Sequence, residues 1–521
     1  ETDMDSATDL PIPPRLRSSS TASIPSSTPH KIVFALVGLP ARGKSFIASK
    51  IVSFFKWSGT SARIFNAGSK RRQMEGAKKS GHSTFFSKTN TAAVSKRDEI
   101  ALATLNEAID WLLNENGCIA LFDATNTTRA RRQLIEDRLS QESASINLIF
   151  IESICTDESV LTNNLIQKIR HSPDFDGIPE EEALHDLRAR IAAYEGVYEP
   201  VSDEEDVAYI KVINFHSKVV CYQVFGAIPL RCVQLLMSSH IGSRPVYLLR
   251  SGHCSDIDDM NRSVESARRL GKGAQVSSAS GPQGYKSSTG SDGSSDVKTS
   301  PSPLSEQTPR NDETPTDIMT KDLFGSPKGS KIPSALTCNS SLSERGRRFG
   351  RRLHKFMSDQ NVTVHGGVPA VPFASTTSRA VETASYLPHP PGLHQQWSAL
   401  NILDTGICHG LSVKTIREEM SEEFELWKKD PFSYRFPGGE SILDMNRRLG
   451  DVVLEIERLQ EPAVVVSHLS TIQSLVAYFT CLDLNQIPFV SVPQHSVLML
   501  TPNIYGWSMK VIDEDSLPDV P

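Results

Sequence analysis

Short apolar runs alternate with longer helical periodicities in two parts of this chain, and polar low-complexity sequence separates the two parts. Between residue 31 and about 250, the β-rich runs KIVFALV, ARIFN, CIALFD, INLIFIES and YIKVINF interleave with helical patterns such as DEIALATLNEAIDWLLNEN. Strands alternating with helices predict a mostly parallel sheet covered by helices, an α/β fold. From about 336 to 502 the alternation resumes, with AVPFAST, a helix from Arg379, SILDMNRRLGDVVLEIERLQ, AVVVSH, SLVAYFT and SVLMLTP. Residues 1–30 and about 255–335 are rich in Ser, Thr, Pro and Gly and hold too few large apolar groups to build a core. The run YLLR, Tyr247 to Arg250, has no obvious strand partner before it, so 255–335 reads as an insertion directly after the first strand of a second domain. The predicted organisation is a tail (1–30), a first domain (31–244), a second domain (245–507) interrupted at 255–335, and a C-terminal tail (508–521).

Composition narrows the class without naming a function. A chain of 521 residues, 38% hydrophobic and 22% charged, is ordinary for soluble protein with two or three cores. No run of ~18 apolar residues predicts a membrane span, and the first residues lack the basic-then-apolar pattern of a secretory signal. A start at Glu1 leaves a lost leader open. Eight scattered cysteines without CxxC pairs fit reduced thiols in a cytoplasmic protein. The net charge of -6 argues against a general nucleic-acid binder, as does the lack of basic residues paired with stacking aromatics.

The first chemical motif is GLPARGKS, Gly38 to Ser45, which fits GxxxxGK[ST] and stands between the strand Ile32 to Val37 and the helical pattern Phe46 to Phe55. Glycines at these places let backbone N–H groups of Gly38, Ala41, Arg42 and Gly43 turn around phosphate oxygens, with the following helix adding its dipole. Lys44 is positioned for the β- and γ-phosphates of ATP and Ser45 for Mg²⁺. A carboxylate, Asp123, ends the apolar run CIALF; beside a P-loop it would bind Mg²⁺ or accept the proton of an attacking hydroxyl. Asp123 is also placed to cap the helix that RARRQLIEDRL predicts. The candidate acceptor site lies in arginines: Arg71 and Arg72 after FNAG, Arg97 at a helix start, and Arg190 four residues before Tyr194 on one helix face. Guanidinium groups suit a sugar phosphate because the fork bonds two oxygens at once.

The runs GLPARGKS, FNAGSKRR, FDATNTTRARR, SPDF, RIAAYEGVYEPV and YIKVIN resemble the kinase half of the 6-phosphofructo-2-kinase/fructose-2,6-bisphosphatase family. GLSVKTIREEM, YRFPGGES, VVSH, VAYF and HSVLMLTP resemble its second half, a histidine-phosphatase domain like that of phosphoglycerate mutases. The resemblance spans about 31 to 507 apart from the insertion. It implies ATP-dependent phosphorylation of fructose 6-phosphate on the 2-hydroxyl, with Gly43, Lys44 and Ser45 at ATP and Mg²⁺, Asp123 and Thr125 in the catalytic DAT run, and Arg72, Arg97, Arg190 and Tyr194 on the sugar phosphate. A homo-oligomer is the expected assembly. Four residues before the Pro of SPD the family usually carries a lysine; here Ile169 stands there, flanked by Lys168 and Arg170, either of which could supply the charge through a register shift.

The second half departs further. Where the family has Arg-His-Gly, with His as nucleophile, this chain has Arg250-Ser251-Gly252. Imidazole attacks near neutral pH because its pKa lies near ~6.5, whereas a serine hydroxyl needs a neighbouring base. His253 lies past the glycine turn and points elsewhere. His409 and Gly410 replace a Glu-Glu pair whose first member is the family's general acid, and an Asn shortly after Arg-His-Gly is lost to the insertion. Arg250, Arg379 and His468 remain as a phosphate cage. The expectation is a kinase with little or no bisphosphatase activity; a bifunctional enzyme with residual activity and a sugar-phosphate-responsive scaffold silent in both halves are the alternatives. Regulatory protein kinases are expected partners, because Ser18 and Ser20 follow arginines at a spacing of three, and Thr28, Ser300, Ser302, Thr308, Thr314 and Ser326 precede Pro.

Overall fold

The structure, a computed structural model, describes residues 31–76, 85, 91–142, 146–215, 217–239, 244–254, 341–389, 395–409, 411, 413–503 and 506–520. The 1–30 tail, the 255–335 insertion and the candidate phosphorylation sites lie outside the described residues. The first half runs β1 (Lys31–Val37), α1 (Lys44–Trp57), β2 (Ala62–Asn66), α2 (Ala67–Glu75), α3 (Thr91–Asn114), β3 (Ile119–Asp123), α4 (Arg129–Ser140), β4 (Ile146–Ile154), α5 (Glu158–His171), α6 (Glu180–Glu195), β5 (Tyr209–Ile213), β6 (Lys218–Tyr222) and α7 (Ala227–Ser238). Its sheet has the order β2-β3-β1-β4-β5-β6, with every neighbouring pair parallel except β5 and β6. Burial of β1 on both faces explains its continuous apolar sequence: Ile32, Phe34 and Leu36 pack toward α1, and Val33, Ala35 and Val37 toward α3 and α4.

The second half runs β7 (Val246–Arg250), α8 (Glu344–Thr363), β8 (Val371–Ser375), α9 (Ser378–Ala384), β9 (Gln395–Trp397), α10 (Val413–Glu419), α11 (Ser421–Lys429), α12 (Ile442–Arg458), β10 (Ala463–Ser467), α13 (Leu469–Thr480), β11 (Val497–Asn503) and β12 (Gly506–Ile512). Sheet order is β12-β11-β7-β10-β8-β9. The partners of β7 are β10 in parallel and β11 in antiparallel register, both more than two hundred residues downstream. Two expectations change, and one undecided run resolves. Residues 508–521 are not a tail: β12 pairs with β11 along its whole length, and buried Leu517 offers its carbonyl to Arg352 of α8. The run SLVAYFT, whose periodicity does not tell strand from helix, folds into α13, which is buried on all sides. Arg97 does not start a helix, since α3 begins six residues earlier at Thr91.

One apolar core continues from the first sheet through α1 into α12 and α13. At this contact Trp57 Nε1 donates to the Ser474 carbonyl at 2.9 Å and lies 3.1 Å from its hydroxyl, while Asn446 Nδ2 donates to the Trp57 carbonyl at 2.8 Å. Tyr478 packs edge-on to Phe54 and against Trp57, with centroids 6.2 and 5.3 Å away. Glu457 is 2% exposed and pairs with Lys50 at 2.8 Å, and it also accepts from the Tyr478 hydroxyl at 3.1 Å. Removing one charge of a buried pair strands the other. Glu457→Gln is therefore expected to lower the unfolding free energy by about 3 kcal/mol, and adding Lys50→Met to recover part of that loss, both read by denaturant titration.

Candidate active site

β1 delivers the chain into a loop that only glycine fits at two points. Gly38 has φ 137°, and a Cβ there would stand 2.6 Å from the Ser153 carbonyl; Gly43 has φ 84°, and a Cβ would stand 2.3 Å from the Phe215 ring. The loop is tethered by three hydrogen bonds: Gly38 N–H to the Thr125 carbonyl (2.9 Å), Ser153 Oγ to the Arg42 carbonyl (2.5 Å), and Asn164 Nδ2 to the Ala41 carbonyl (3.1 Å). No side chain caps the start of α1, so its first N–H groups remain for a phosphate. Lys44 Nζ folds across the loop onto the Leu39 carbonyl at 2.6 Å. Burial first, and the neighbouring Lys168 next, push its pKa down to about 7. The Arg42 side chain turns outward and lies 3.5 Å from Glu195.

β3 lies beside β1, so parallel pairing brings the end of one strand next to the loop after the other. Asp123, buried at that end, accepts from Ser45 Oγ at 2.8 Å and from Asn66 Nδ2 at 2.5 Å, both on Oδ2. The cap of α4 is Thr128, whose side chain accepts from the Arg131 N–H, so Asp123 is not a helix cap. Half-buried Thr125 joins the site through its backbone, and Asn126 (φ 44°) is anchored to the Leu36 carbonyl at 2.8 Å. A hydroxyl and a carboxylate in contact beside a phosphate cradle are hard oxygen donors that fit Mg²⁺. Among the described residues no three His, Cys, Asp or Glu side chains gather at one point, so an ion here would share its coordination with phosphate oxygens.

The open choice around Ile169 resolves by helix geometry. Successive residues of α5 point about 100° apart, so only one of three neighbours faces the cleft. Ile169 is buried against Phe175, Ala183 and Leu187, and Arg170 is exposed, 3.5 Å from Glu180. Lys168 faces inward. Burial and then the charge of Arg190 lower its pKa, while Asp123 and Asp174 raise it, and it in turn depresses Lys44. Lys168 thus stands electrostatically between the P-loop and the arginines.

Those arginines converge on a residue that motif reading left without a role. Asp174, whose side chain is 4% exposed, sits in the short turn Pro173–Phe175 with the Ser172 hydroxyl as its cap. Arg71 Nη2 reaches both of its oxygens, at 2.6 and 2.5 Å; Arg190 Nη1 lies at 3.1 Å and Arg72 Nη1 at 3.6 Å. Burial alone would raise the Asp174 carboxyl, but Arg71 and then Arg190 outweigh it and hold the pKa below the usual range. Arg190 stacks over Phe175 at 5.1 Å. Arg97 lies 6.0 Å from the Tyr194 ring centroid and donates to the Phe85 carbonyl at 2.8 Å. The only sequence sign for Asp174 was a lone acid in SPDF amid scattered arginines.

In the second half, β7, β10 and β8 lie side by side in parallel, and their carboxyl ends gather a second cluster. Arg250 ends β7, and its Nη1 reaches the Val492 carbonyl at 3.3 Å. Ser251 follows, 6% exposed; its N–H donates to the Ser467 carbonyl (2.8 Å), its carbonyl accepts from Gln494 (2.7 Å), and its hydroxyl makes no hydrogen bond among the described residues. His468, just after β10, has Nδ1 3.0 Å from Arg379 Nη2 and Nε2 within 3.2 Å of the Ser375 and Thr377 hydroxyls. Burial first, and the charges of Arg379 and Arg250 next, push its pKa well below the ordinary value, so it is a neutral ring accepting from Arg379. His253 turns away, its Nδ1 3.0 Å from the Ser343 hydroxyl that caps α8. His409 follows the turn Gly406–Cys408 on the connection from β9 to α10.

A nucleotide cradle on one parallel sheet and an Arg-Arg-His pocket on a second define a P-loop phosphotransferase fold joined to a histidine-phosphatase fold. Family models agree: residues 19–243 match 6-phosphofructo-2-kinase, and residues 335–515 match branch 1 of the histidine phosphatase superfamily. The chain is 31% identical over 500 residues to 6-phosphofructo-2-kinase/fructose-2,6-bisphosphatase of Aquarana catesbeiana and equally so to human 6-phosphofructo-2-kinase/fructose-2,6-bisphosphatase 1, covering 96% of this chain and 88% of each relative. Similarity to 6-phosphofructo-2-kinase 1 of Saccharomyces cerevisiae is 30% over 515 residues, covering 94% of this chain and 53% of that one. This chain belongs to the 6-phosphofructo-2-kinase/fructose-2,6-bisphosphatase family.

The depressed Lys44 has a measurable consequence. Above its pKa of about 7 the free protein holds much of this amine neutral, and a bound triphosphate favours the cation. Nucleotide binding at about pH 8 is expected to take up close to one proton. Calorimetry in buffers of different ionisation heats reads the uptake, which should fall sharply in Lys44→Met.

Proposed function

We propose that this chain is an ATP-dependent 6-phosphofructo-2-kinase that makes fructose 2,6-bisphosphate from fructose 6-phosphate, with little or no bisphosphatase activity. One observation carries the kinase reading: Lys168 joins the P-loop with its Ser45–Asp123 pair to the arginines organised by Asp174, making one basic cleft for two phosphate-bearing substrates. The silent-scaffold alternative rests on the missing lysine at 169, and the inward-facing Lys168 beside Asp123, Asp174 and Arg190 weighs against it.

In this reading the Gly38–Gly43 backbone and the start of α1 orient the triphosphate of ATP. Ser45 and Asp123 would hold Mg²⁺, which would supply charge neutralisation to the phosphates of the bound nucleotide. Arg71, Arg72 and Arg190 grip the 6-phosphate and so place the 2-hydroxyl in line with the γ-phosphate. Asp123 Oδ1, without a hydrogen bond among the described residues, accepts the hydroxyl proton, while Lys44 and Lys168 balance charge on the transferring group. Because Asp174 spaces the arginines without itself reaching sugar, it is a positioning residue.

Loss of the opposing hydrolysis is supported by what surrounds Ser251. A hydroxyl needs an adjacent base, and the nearby imidazole of His468 is neutral but occupied at both nitrogens. His409 offers no carboxylic acid to the leaving sugar oxygen. Arg250 and Arg379 remain suited to hold phosphate.

Kinase and phosphatase assays on one preparation test both halves. Fructose 2,6-bisphosphate should form with ATP and fall by about 100-fold or more in Lys44→Met. Release of phosphate from fructose 2,6-bisphosphate should stay at background; release that Arg379→Ala abolishes would sink the one-direction reading. Restoring the lost groups with Ser251→His and His409→Glu together should raise release above background. Asp174→Asn is expected to raise KM for fructose 6-phosphate about tenfold while moving KM for ATP little.

A further inference from the structure

Arg132, on α4, is 1% exposed and stands outside the array of arginines that Asp174 gathers. Its Nε and Nη2 each donate to one oxygen of the Glu205 carboxylate at 2.7 Å. Its Nη1 donates to two backbone carbonyls, Asn126 at 3.2 Å and Glu199 at 2.9 Å. The planar fork makes this possible, since a lysine could meet the carboxylate but has no rigid head to span all four acceptors.

The two bridged carbonyls belong to different parts of the kinase site. Asn126 closes the loop after Asp123; its Nδ2 holds the Leu36 carbonyl at 2.8 Å, and the Thr125 carbonyl beside it takes the Gly38 N–H at 2.9 Å. The P-loop and the Asp123 loop are thereby one body. Glu199 lies five residues after Tyr194, just past the end of α6, which carries Arg190. The Glu199 N–H donates to the Thr127 carbonyl at 2.8 Å, and its carboxylate accepts from the Arg129 N–H at 2.6 Å. On the other side of this segment the Tyr198 hydroxyl and the Val201 N–H both donate to buried Glu152 of β4, at 2.5 and 3.2 Å. Arg132 is thus the buried side chain through which the helix of the sugar-phosphate arginines meets the loop of Asp123.

We propose that Arg132 is a positioning residue for phosphoryl transfer: by bridging Asn126 and Glu199 it sets α6 against the Asp123 loop, and so aligns the sugar hydroxyl with the γ-phosphate. This rests on the kinase reading above. Asp174 arrays the sugar-phosphate arginines, and the P-loop has its own tethers, so neither binding site depends on Arg132 for its internal shape. Only their relative placement does. A shift of about 1 Å between reacting groups costs up to about 100-fold in rate.

The test is steady-state kinetics of the full chain, with ADP counted against fructose 2,6-bisphosphate formed. Arg132→Lys keeps a cation against Glu205 and loses the double bridge. Its kcat should fall about tenfold, with KM for ATP and for fructose 6-phosphate within about twofold of wild type. ADP formed per bisphosphate should rise, because water takes the place of the misplaced hydroxyl at the γ-phosphate and yields inorganic phosphate. Partial unfolding would lower both rates in proportion and leave that ratio unchanged. Glu205→Gln keeps the bridge but removes the charge partner, so its unfolding midpoint should drop while kcat stays within about twofold of wild type. If Arg132→Lys does not fold, Arg132→Met combined with Glu205→Met, which strands no buried charge, carries the same kinetic expectation. An unchanged kcat, a rise in KM as large as the fall in kcat, an unchanged ADP ratio, or a loss of kcat in Glu205→Gln as deep as in Arg132→Lys overturns the proposal. A wild type that makes no fructose 2,6-bisphosphate sinks the kinase reading and the positioning role with it, whereas an active wild type with an unaffected Arg132→Lys sinks the positioning role alone.

Discussion

Helix α1 is buried on two sides, and most of the molecule is arranged around that constraint. One side closes the first sheet over Ile32, Phe34 and Leu36; the other carries Phe54 and Trp57 into α12 and α13. A helix apolar on both flanks has no stable place on the surface of a single domain. The second domain covers it, and the Lys50–Glu457 pair survives burial because Tyr478 and the ammonium satisfy the carboxylate together. The same helix begins at the P-loop, so the structural demand of domain contact and the chemical demand of phosphate binding fall on one element.

Charge sets the second constraint. Phosphate-handling sites must hold several cations close together before any anion arrives, and unrelieved repulsion would scatter them. The kinase site solves this with Asp174, which draws Arg71, Arg72 and Arg190 into one array, and with two lysines whose cationic form burial weakens. The second-half pocket solves it differently: His468 stays neutral and accepts from Arg379. Both sites sit at the carboxyl ends of parallel strands, where chain reversal leaves backbone groups and side chains open to a ligand.

Legibility followed the range of each interaction. GLPARGKS, Asp123 and the strands around them were readable because a phosphate loop is a local object: glycine freedom, a strand before and a helix after. The serine at 251 and histidine at 409 were visible as departures from a motif for the same reason. The lysine of α5 was not, since motif spacing pointed at 169 and only the packing of Ile169 against Phe175 and Leu187 shows which face of the helix turns inward. Asp174 stands inside the run SPDF, whose local pattern gives it no role, because its importance lies in contacts with residues as far as 103 positions away in sequence. Local spacing puts Arg97 at a helix start, whereas α3 begins six residues earlier at Thr91.

By itself, the sequence determined that two α/β units follow one another and that the first carries a nucleotide loop, while resemblance to the family marked Ser251 and His409 as departures from its pattern. These are statements about residue identity at local spacing, which the chain carries without folding. Tertiary structure alone decided that residues 506–512 complete the second sheet, that Lys168 and not Arg170 enters the cleft, and that one apolar core joins the two domains through α1. Each depends on which faces are buried against distant segments, and burial is a property of the packed molecule that no local pattern encodes.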